Sequence, residues 1–351
     1  MLKKRKPTKR ITLGGIHIGG GSPVVVQSMT KTDTRDIAST VAQIKGLESA
    51  GCEAVRVAVL NYDAARAIKA IRKKIRIPLI ADVHFDYKLA LEAMANKADG
   101  LRINPGNIGD KAKVKEVVMA AKDREIPIRI GVNAGSLEKD LLKKYRHPTA
   151  EALVESAKRH IKILEDLNFT AIKVSLKASD VVKTVEAYRL FSKKFNYPLH
   201  IGISEAGPAF QGTIKSAVGL GILLSEGLGD TIRVSLTADP VEEVKVAYEI
   251  LKALHLRQRG PEIISCPTCG RCEVNIRGIV EKVETALTHI KKPLKIAVMG
   301  CVVNGPGEAR EADVGIAGGR GIGILFKHGK VVRKVKEREL LNTLIKEIKK
   351  L

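Results

Sequence analysis

Four of the five cysteines fall within 36 residues of one another: Cys266, Cys269 and Cys272 in SCPTCGRC, and Cys301 in MGCVVNGPGEA. Two cysteines two residues apart bring both sulfurs to one side of a turn, so the pattern grips a metal ion or one corner of a cluster. Two chemistries compete. Structural zinc takes four ligands in tetrahedral geometry, but the second half of a zinc ribbon should itself be a C-x2-C pair. Only Cys301 stands there. That favours an iron–sulfur cluster held by C-x2-C-x2-C plus a distant fourth ligand, as in bacterial ferredoxins. Spacing alone assigns Cys266, Cys269, Cys272 and Cys301 as ligands. With no export signal recognised, such clustering points to metal binding or catalysis rather than disulfides. Cys52, following Gly51 at a helix-to-strand turn, reads as a buried small hydrophobe.

The second chemical signal is a set of cations inside apolar runs: Arg56, Arg102, Arg129, Lys173 and Arg233. Each sits in a short β-type segment, and segments covered on both faces offer a charge no open water. Two residues further on, on the same strand face, stand Asn104, Ser175 and Ser235. The acids at comparable positions are Asp82, in ADVHFD with His84, and Glu205, in SEAG. Internal salt bridges account for part of this set. Five cations against two anions leave an excess, which a doubly or triply charged anion would resolve through charge-assisted contacts. A carboxylate flanked by such cations serves either as a general acid or base or as an ion-pair partner.

These residues need a frame that brings them together. From residue 24 to about 255, eight β-rich runs alternate with amphipathic helical segments: 24–29, 54–59, 78–83, 100–105, 127–132, 171–176, 198–203 and 231–236. Their starts lie 22 to 44 residues apart, room for a crossover helix each time. The count and length predict an α/β fold, an N-terminal (β/α)8 TIM barrel, with the cations toward the C-terminal strand ends where barrel sites are built. A doubly wound open sheet is the alternative, weakened by the lack of a GxGxxG turn after the first strand. The pattern breaks at LRQRGPEIIS, read as a linker. This gives a barrel domain over 1–258 and a smaller α+β domain over 259–351. The second has a helix around 275–289, strands at KIAVMG, DVGIAG, GIGILF and KVVRKV, and a closing helix at 338–350. GGRGIG reads as a turn between two strands.

Composition narrows the function classes. The 351 residues are 44% hydrophobic and 28% charged, an ordinary globular balance, and no apolar run approaches membrane-spanning length. The expected location is the cytoplasm. A net charge of +23 admits a nucleic-acid-binding protein with a structural metal site as a rival reading. Aromatics at 3% and the absence of Trp argue against it. Much of the charge falls on solvated helix faces such as IRKKIR.

VVVQSMT, ADVHFD, LRINPGN, IRIGVN, KVSLKAS and SEAG in the first domain, with SCPTCGR and MGCVVNGPGEA in the second, resemble the 4-hydroxy-3-methylbut-2-enyl diphosphate synthase family. The resemblance spans essentially the whole chain and matches the shorter, bacterial two-domain form. It implies an iron–sulfur oxidoreductase of the methylerythritol phosphate route. The reaction is the two-electron reductive ring opening of 2-C-methyl-D-erythritol 2,4-cyclodiphosphate, with loss of water. It also implies a 4Fe–4S cluster on Cys266, Cys269, Cys301 and Glu308, which leaves Cys272 a bystander and sets the resemblance against spacing. Arg56, Arg102, Arg129, Lys173 and Arg233 would clamp the diphosphate, with Ser175, Ser204 and Ser235 adding hydrogen bonds. Glu205 would protonate the departing hydroxyl, and Asn304 would hold the reacting part of the substrate. The resemblance further implies a homodimer whose sites mix residues of both chains, and the basic surface suits an acidic ferredoxin or flavodoxin as reductant. A radical-SAM barrel is disfavoured, because no C-x3-C-x2-C stands near the first strand.

Overall fold

The structure, a computed structural model, describes residues 2–301, 307 and 309–351. It divides into two compact units, Met1–Arg257 and Gln258–Leu351.

The first unit opens with a hairpin, β1 (Ile11–Leu13) and β2 (Ile16–Ile18), and then alternates strand and helix. The strands are β3 (Val25–Met29), β4 (Ala54–Ala58), β5 (Leu79–Asp82), β6 (Gly100–Ile103), β7 (Ile128–Asn133), β8 (Ile172–Lys177), β9 (His200–Ile201) and β10 (Thr231–Ile232). Between and after them run α1 (Ile37–Ala50), α2 (Tyr62–Arg72), α3 (Tyr87–Ala95), α4 (Lys111–Asp123), α5 (Lys139–Tyr145), α6 (Ala150–Glu165), α7 (Val181–Lys194), α8 (Ala209–Ser225) and α9 (Pro240–Ala253). Asp36, Asn61, Asp86, Asp110, Thr149, Asp180 and Asp239 start α1, α2, α3, α4, α6, α7 and α9, each accepting a backbone N–H from the first turn. Short polar caps directly after β-branched runs are what switch the chain from strand to helix.

The eight strands pair in parallel in the order β8-β7-β6-β5-β4-β3-β10-β9, and a bridge between Val174 and Leu199 joins the two ends. The barrel foreseen from the strand count is therefore present, and the open doubly wound sheet is not. Alternation along each strand sorts the residues: Val55, Val57, Leu101, Ile103, Ile128 and Ile130 enter the main core against the helices. The intervening positions, Arg56, Arg102 and Arg129, turn into the barrel.

Three features depart from the sequence expectation. The last two barrel strands pair over only two residues each, and after the first of them the chain turns through Glu205 and Gly207, both at positive φ. The β1–β2 hairpin was not foreseen. Its Ile11, Leu13 and Ile18 pack on Val25, Ala54 and Ile80 at the N-terminal strand ends and close the barrel floor. Gly100 makes this possible, since a Cβ there would stand 2.5 Å from Leu13 Cδ1. Finally, EIIS is strand rather than linker: β11 (Glu262–Ser265) belongs to the second unit.

That unit continues with α10 (Ile276–Leu287), β12 (Lys295–Met299), β13 (Val314–Ala317), β14 (Ile322–Lys327), β15 (Lys330–Lys336) and α11 (Leu340–Ile348). Its sheet has the order β11-β12-β13-β14-β15, parallel through β13 and antiparallel beyond. Both helices bury Val283, Leu287, Leu340 and Leu344 against one face. The opposite face carries Met299, Ala317, Ile324 and Phe326. GGRGIG links β13 to antiparallel β14, the turn role read from its glycines. Among the described residues no helix is long and apolar enough to cross a membrane.

Candidate functional site

The C-terminal mouth of the barrel opens into a cavity of about 820 Å³. Ladder register sets its charges side by side: Asp82 pairs with Arg102, and Arg102 with Arg129. Arg56, Arg102, Arg129 and Arg233 all line it, as do Ser175, Ser204 and Ser235. Glu205 lies exposed at its rim and makes no ion pair among the described residues. Its φ of 51° places a non-glycine residue in the left-handed region, strain of the kind that collects at functional sites.

Lys173 stands elsewhere. It pairs with Arg129 but does not line the cavity; it faces the floor, over Ile11, Leu13 and Ile18 of the hairpin. The lysine in the cavity wall is Lys177, which the sequence reading passed over. The signal was available, because positions 173, 175 and 177 share one strand face and the later one lies nearer the mouth. Two glycines clear its path and that of Arg102. A Cβ at Gly202 would stand 2.7 Å from Lys177 Nζ, and one at Gly131 2.4 Å from Arg102 Nε.

Two buried carboxylates anchor the cations. Asp82 takes Arg102 Nη1 at 3.1 Å and Arg56 Nε at 3.4 Å, with His84 Nε2 at 3.5 Å. Glu243, on the first turn of α9, is the second, and sequence reading missed it because it comes from a helix. It stands 3.9 Å from Arg233 and 3.2 Å from Lys31 and accepts the Leu236 N–H. Five cations in the cavity wall thus face two buried acids and Glu205 at the rim.

Burial pushes the Asp82 carboxyl up, but the Arg56 charge and the contacts to His84 and Arg102 outweigh it and hold Asp82 below the usual carboxylate range. Arg129 and Lys177 are driven down, first by burial and then by the neighbouring cations. For Lys173 burial and Arg129 bring the value to about 7. A guanidinium keeps its proton regardless, so the lysines are the groups that relieve the excess of positive charge by giving up a proton. Nε and Nη1 of Arg129, Nε of Arg102 and Arg233, and Nζ of Lys173 are buried donors with no hydrogen-bond acceptor in the described protein. Such donors are costly unless an acceptor arrives.

In the second unit Ser265 pairs with Val298 on adjacent parallel strands, so the chain leaves β11 into Cys266 beside the exit of β12 toward Cys301. The Gly300 N–H donates to Cys266 Sγ at 3.2 Å. Cys269 is exposed; Cys266, Cys272 and Cys301 are half-buried. Thr268, at φ 60°, bends the C-x2-C turn through the left-handed region. Cys272 Sγ donates to the Val274 carbonyl at 3.2 Å and packs against the helix-side core. Among the described residues no three His, Cys, Asp or Glu side chains converge into a formed metal site. Asn304 and Glu308 lie outside the described residues. The donor set fits an iron–sulfur group: soft thiols at adjacent strand exits, one already taking a backbone N–H.

Fold and site together define a β/α-barrel enzyme for a multiply charged anion, followed by a thiol-bearing redox unit. The GcpE TIM-barrel domain profile matches residues 8–248, and that of the GcpE protein C-terminal domain matches residues 262–350. The chain belongs to the GcpE family. It is 67% identical over 347 residues to the 4-hydroxy-3-methylbut-2-en-1-yl diphosphate synthase (flavodoxin) of Thermodesulfovibrio yellowstonii, covering 99% of both chains. To the enzyme of the same name in Geobacter sulfurreducens it is 62% identical over 344 residues, covering 98% of both. The barrel alone is shared with Yersinia pestis dihydropteroate synthase, at a TM-score of 0.52 and 15% identity over 71% of this chain and 99% of that one. It is shared as well with the Bacillus subtilis spore coat polysaccharide biosynthesis protein spsE, at 0.52 and 10% over 70% and 72%. The family consists of iron–sulfur oxidoreductases of isoprenoid biosynthesis, as the motifs implied.

Proposed function

We propose that the barrel cavity is the seat of the reductive ring opening of 2-C-methyl-D-erythritol 2,4-cyclodiphosphate. The observation that carries this reading is the set of five cations, Arg56, Arg102, Arg129, Lys177 and Arg233, in one cavity with only two buried carboxylates among them. A cyclic diphosphate brings two negative charges and several acceptor oxygens to donors that otherwise lack them. Ser175, Ser204 and Ser235 add neutral hydrogen bonds around the ring. Asp82 and Glu243 hold Arg102, Arg56 and Arg233 in place before the ligand enters, so little reorganisation remains when it does. Lys173 acts from below, through Arg129, rather than on the diphosphate.

The reaction breaks a ring C–O bond, takes up two electrons, and expels a hydroxyl as water. Glu205, exposed at the rim and fixed by its backbone, supplies the proton to that hydroxyl. Cys266, Cys269, Cys301 and Glu308 would hold a 4Fe–4S cluster, which when bound supplies the electrons one at a time. The S–H bond of Cys272 to Val274 supports its role as bystander. Asn304 would orient the reacting hydroxyl. Flavodoxin, printed in the relatives' names, or a ferredoxin serves as donor. Clustered cysteines without a disulfide among the described residues support a cytoplasmic setting. A homodimer is supported by exposed Leu60 and Phe85, just beyond β4 and β5, and by exposed Val182 and Phe210 in the first turns of α7 and α8.

Anaerobic reconstitution followed by turnover of the cyclodiphosphate with dithionite tests the reading. A brown protein with iron and sulfide that forms the allylic diphosphate is expected. A colourless, zinc-loaded protein without turnover would sink it.

A further inference from the structure

Electrons for this reaction come from outside the chain, and their donor has to dock near the cysteines. In the second unit, Cys266 follows β11, Cys301 lies two residues past the end of β12, β14 begins at Ile322 and β15 ends at Lys336. Because β14 runs opposite to β12 and β15 runs with it, all four points lie at one end of the sheet. Strands lie about 4.8 Å apart, so Ile322 and Lys336 are roughly 10–15 Å across the sheet from the exit of β12.

The surface there is unusual in two ways. Edge strand β15 exposes six of its seven residues. From 330 to 338 the chain carries Lys330, Arg333, Lys334, Lys336 and Arg338 against Glu337 alone. The register pairs Ile322 with Lys336, Ile324 with Lys334 and Phe326 with Val331, so these share the face turned away from the helices. On it Ile322 and Val331 are each 57% exposed, and Val332, at the bulge, is 53% exposed. Lysines on an edge strand are accounted for by protection against edge-to-edge pairing. That protection does not account for three exposed aliphatic side chains in their midst, which would favour such pairing. An apolar centre ringed by one sign of charge is instead the make-up of a transient docking site. A groove of about 520 Å³ lined by Lys282, Lys336 and Arg338 extends the basic surface toward α10.

We propose that the exposed β14–β15 face, Ile322 with Val331, Lys334 and Lys336, is the docking surface for the electron donor, a small acidic redox protein of the flavodoxin class. This rests on the donor reading above. Charge complementarity selects the partner: an acidic surface is steered to the lysines and arginines, and the valines and Ile322 supply contact once it arrives. The result is fast, salt-sensitive and short-lived association, as a one-electron carrier that must return repeatedly requires.

The test uses the full chain with its iron–sulfur group reconstituted, at saturating cyclodiphosphate. Turnover is measured with flavodoxin varied, and in parallel with dithionite. A Lys334→Glu/Lys336→Glu variant should raise the KM for flavodoxin about tenfold and flatten its salt dependence. Val331→Ser/Val332→Ser should raise it several-fold with the salt dependence kept. Both should retain dithionite-driven turnover and wild-type thermal stability. Unchanged flavodoxin kinetics in both variants overturns the docking surface and leaves the donor reading standing. A wild-type protein that accepts dithionite but neither flavodoxin nor ferredoxin removes the donor reading, and the docking surface with it. Loss of dithionite turnover, or a change in oligomeric state, in the charge-reversal variant assigns β15 to the fold or to contact between copies, and overturns the proposal as well.

Discussion

Four residues separate Lys173 from Lys177, and that distance puts them in different chemistry. Lys177 reaches the cavity; replacing it with Met should raise the KM for the cyclodiphosphate by one to two orders of magnitude, since a charge-assisted contact contributes about 1.5–3 kcal/mol. Lys173 is a buried cation with no hydrogen-bond acceptor among the described residues, titrating at about 7 in the folded protein against 10.5 in the free side chain. Between those values the unfolded chain holds the extra proton, so the empty protein gains stability as pH rises from about 7 to about 10.5. Lys173→Met should raise the melting temperature at pH 7 and flatten its climb toward pH 10; thermal unfolding across that range reads both. Glu205→Gln should bind substrate normally and lose most single-turnover chemistry, because an amide has no proton of the needed acidity. At the cysteines, Cys272→Ser should keep its iron and activity while Cys301→Ser loses the cluster, with iron and sulfide analysis deciding. Spacing alone favours Cys272 as a ligand and the family resemblance leaves it a bystander, because spacing records how close two residues are along the chain and not which of them a cluster needs. The cations on β4, β6 and β7 and directly after β10 were legible because a charge in an apolar run has so few explanations. Glu243 was not, since a glutamate on an amphipathic helix looks like solvent-facing polarity until the strand beside it is placed.

At the scale of elements, the cavity depends on side chains that are missing. Gly131 and Gly202 occupy inward positions where any Cβ would collide with Arg102 or Lys177. Gly131→Ala should therefore weaken substrate binding without deleting any binding side chain, by pushing the guanidinium off Asp82; a raised KM with near-normal kcat is the expected signature. In sequence these glycines looked like small strand residues, and nothing marked which side chain would need their space. Six of the eight barrel strands were legible to within a residue or two at each end, because hydrophobic period and polar caps agreed. The two-residue β9 and β10 were overextended, since composition does not register where a ladder stops as the chain turns toward the mouth. The β1–β2 hairpin escaped for a related reason: ITLGGIHIGG is too short and glycine-rich to stand out, and its apolar residues gain meaning only against the floor they cover.

For the whole molecule, the two-unit division followed from the break in β/α rhythm, although the first strand of the second unit was mistaken for linker. The net charge of +23 was the least specific signal in the sequence. In three dimensions it separates into a cation-lined cavity, an exposed basic strand and scattered helix surface, three uses that a sum cannot distinguish. If sites are built from two chains, mixing inactive Glu205→Gln with inactive Cys301→Ser should restore activity. Random reassortment gives about half heterodimers, each with one intact site, hence about a quarter of wild-type turnover. No recovery after verified exchange would assign each site to a single chain.

The hairpin across the floor makes the barrel a cul-de-sac. Leu13 and Ile18 are sealed against the strand starts, so whatever enters by the mouth leaves by it. Substrate and product both carry a diphosphate for the same cations, and neither has a back exit. Product must vacate before the next substrate is admitted, so inhibition by the allylic diphosphate should be purely competitive with the cyclodiphosphate. At high flux, departure of the more highly charged product from those cations, rather than bond breaking, should pace the enzyme, and a burst of product in the first turnover would report it.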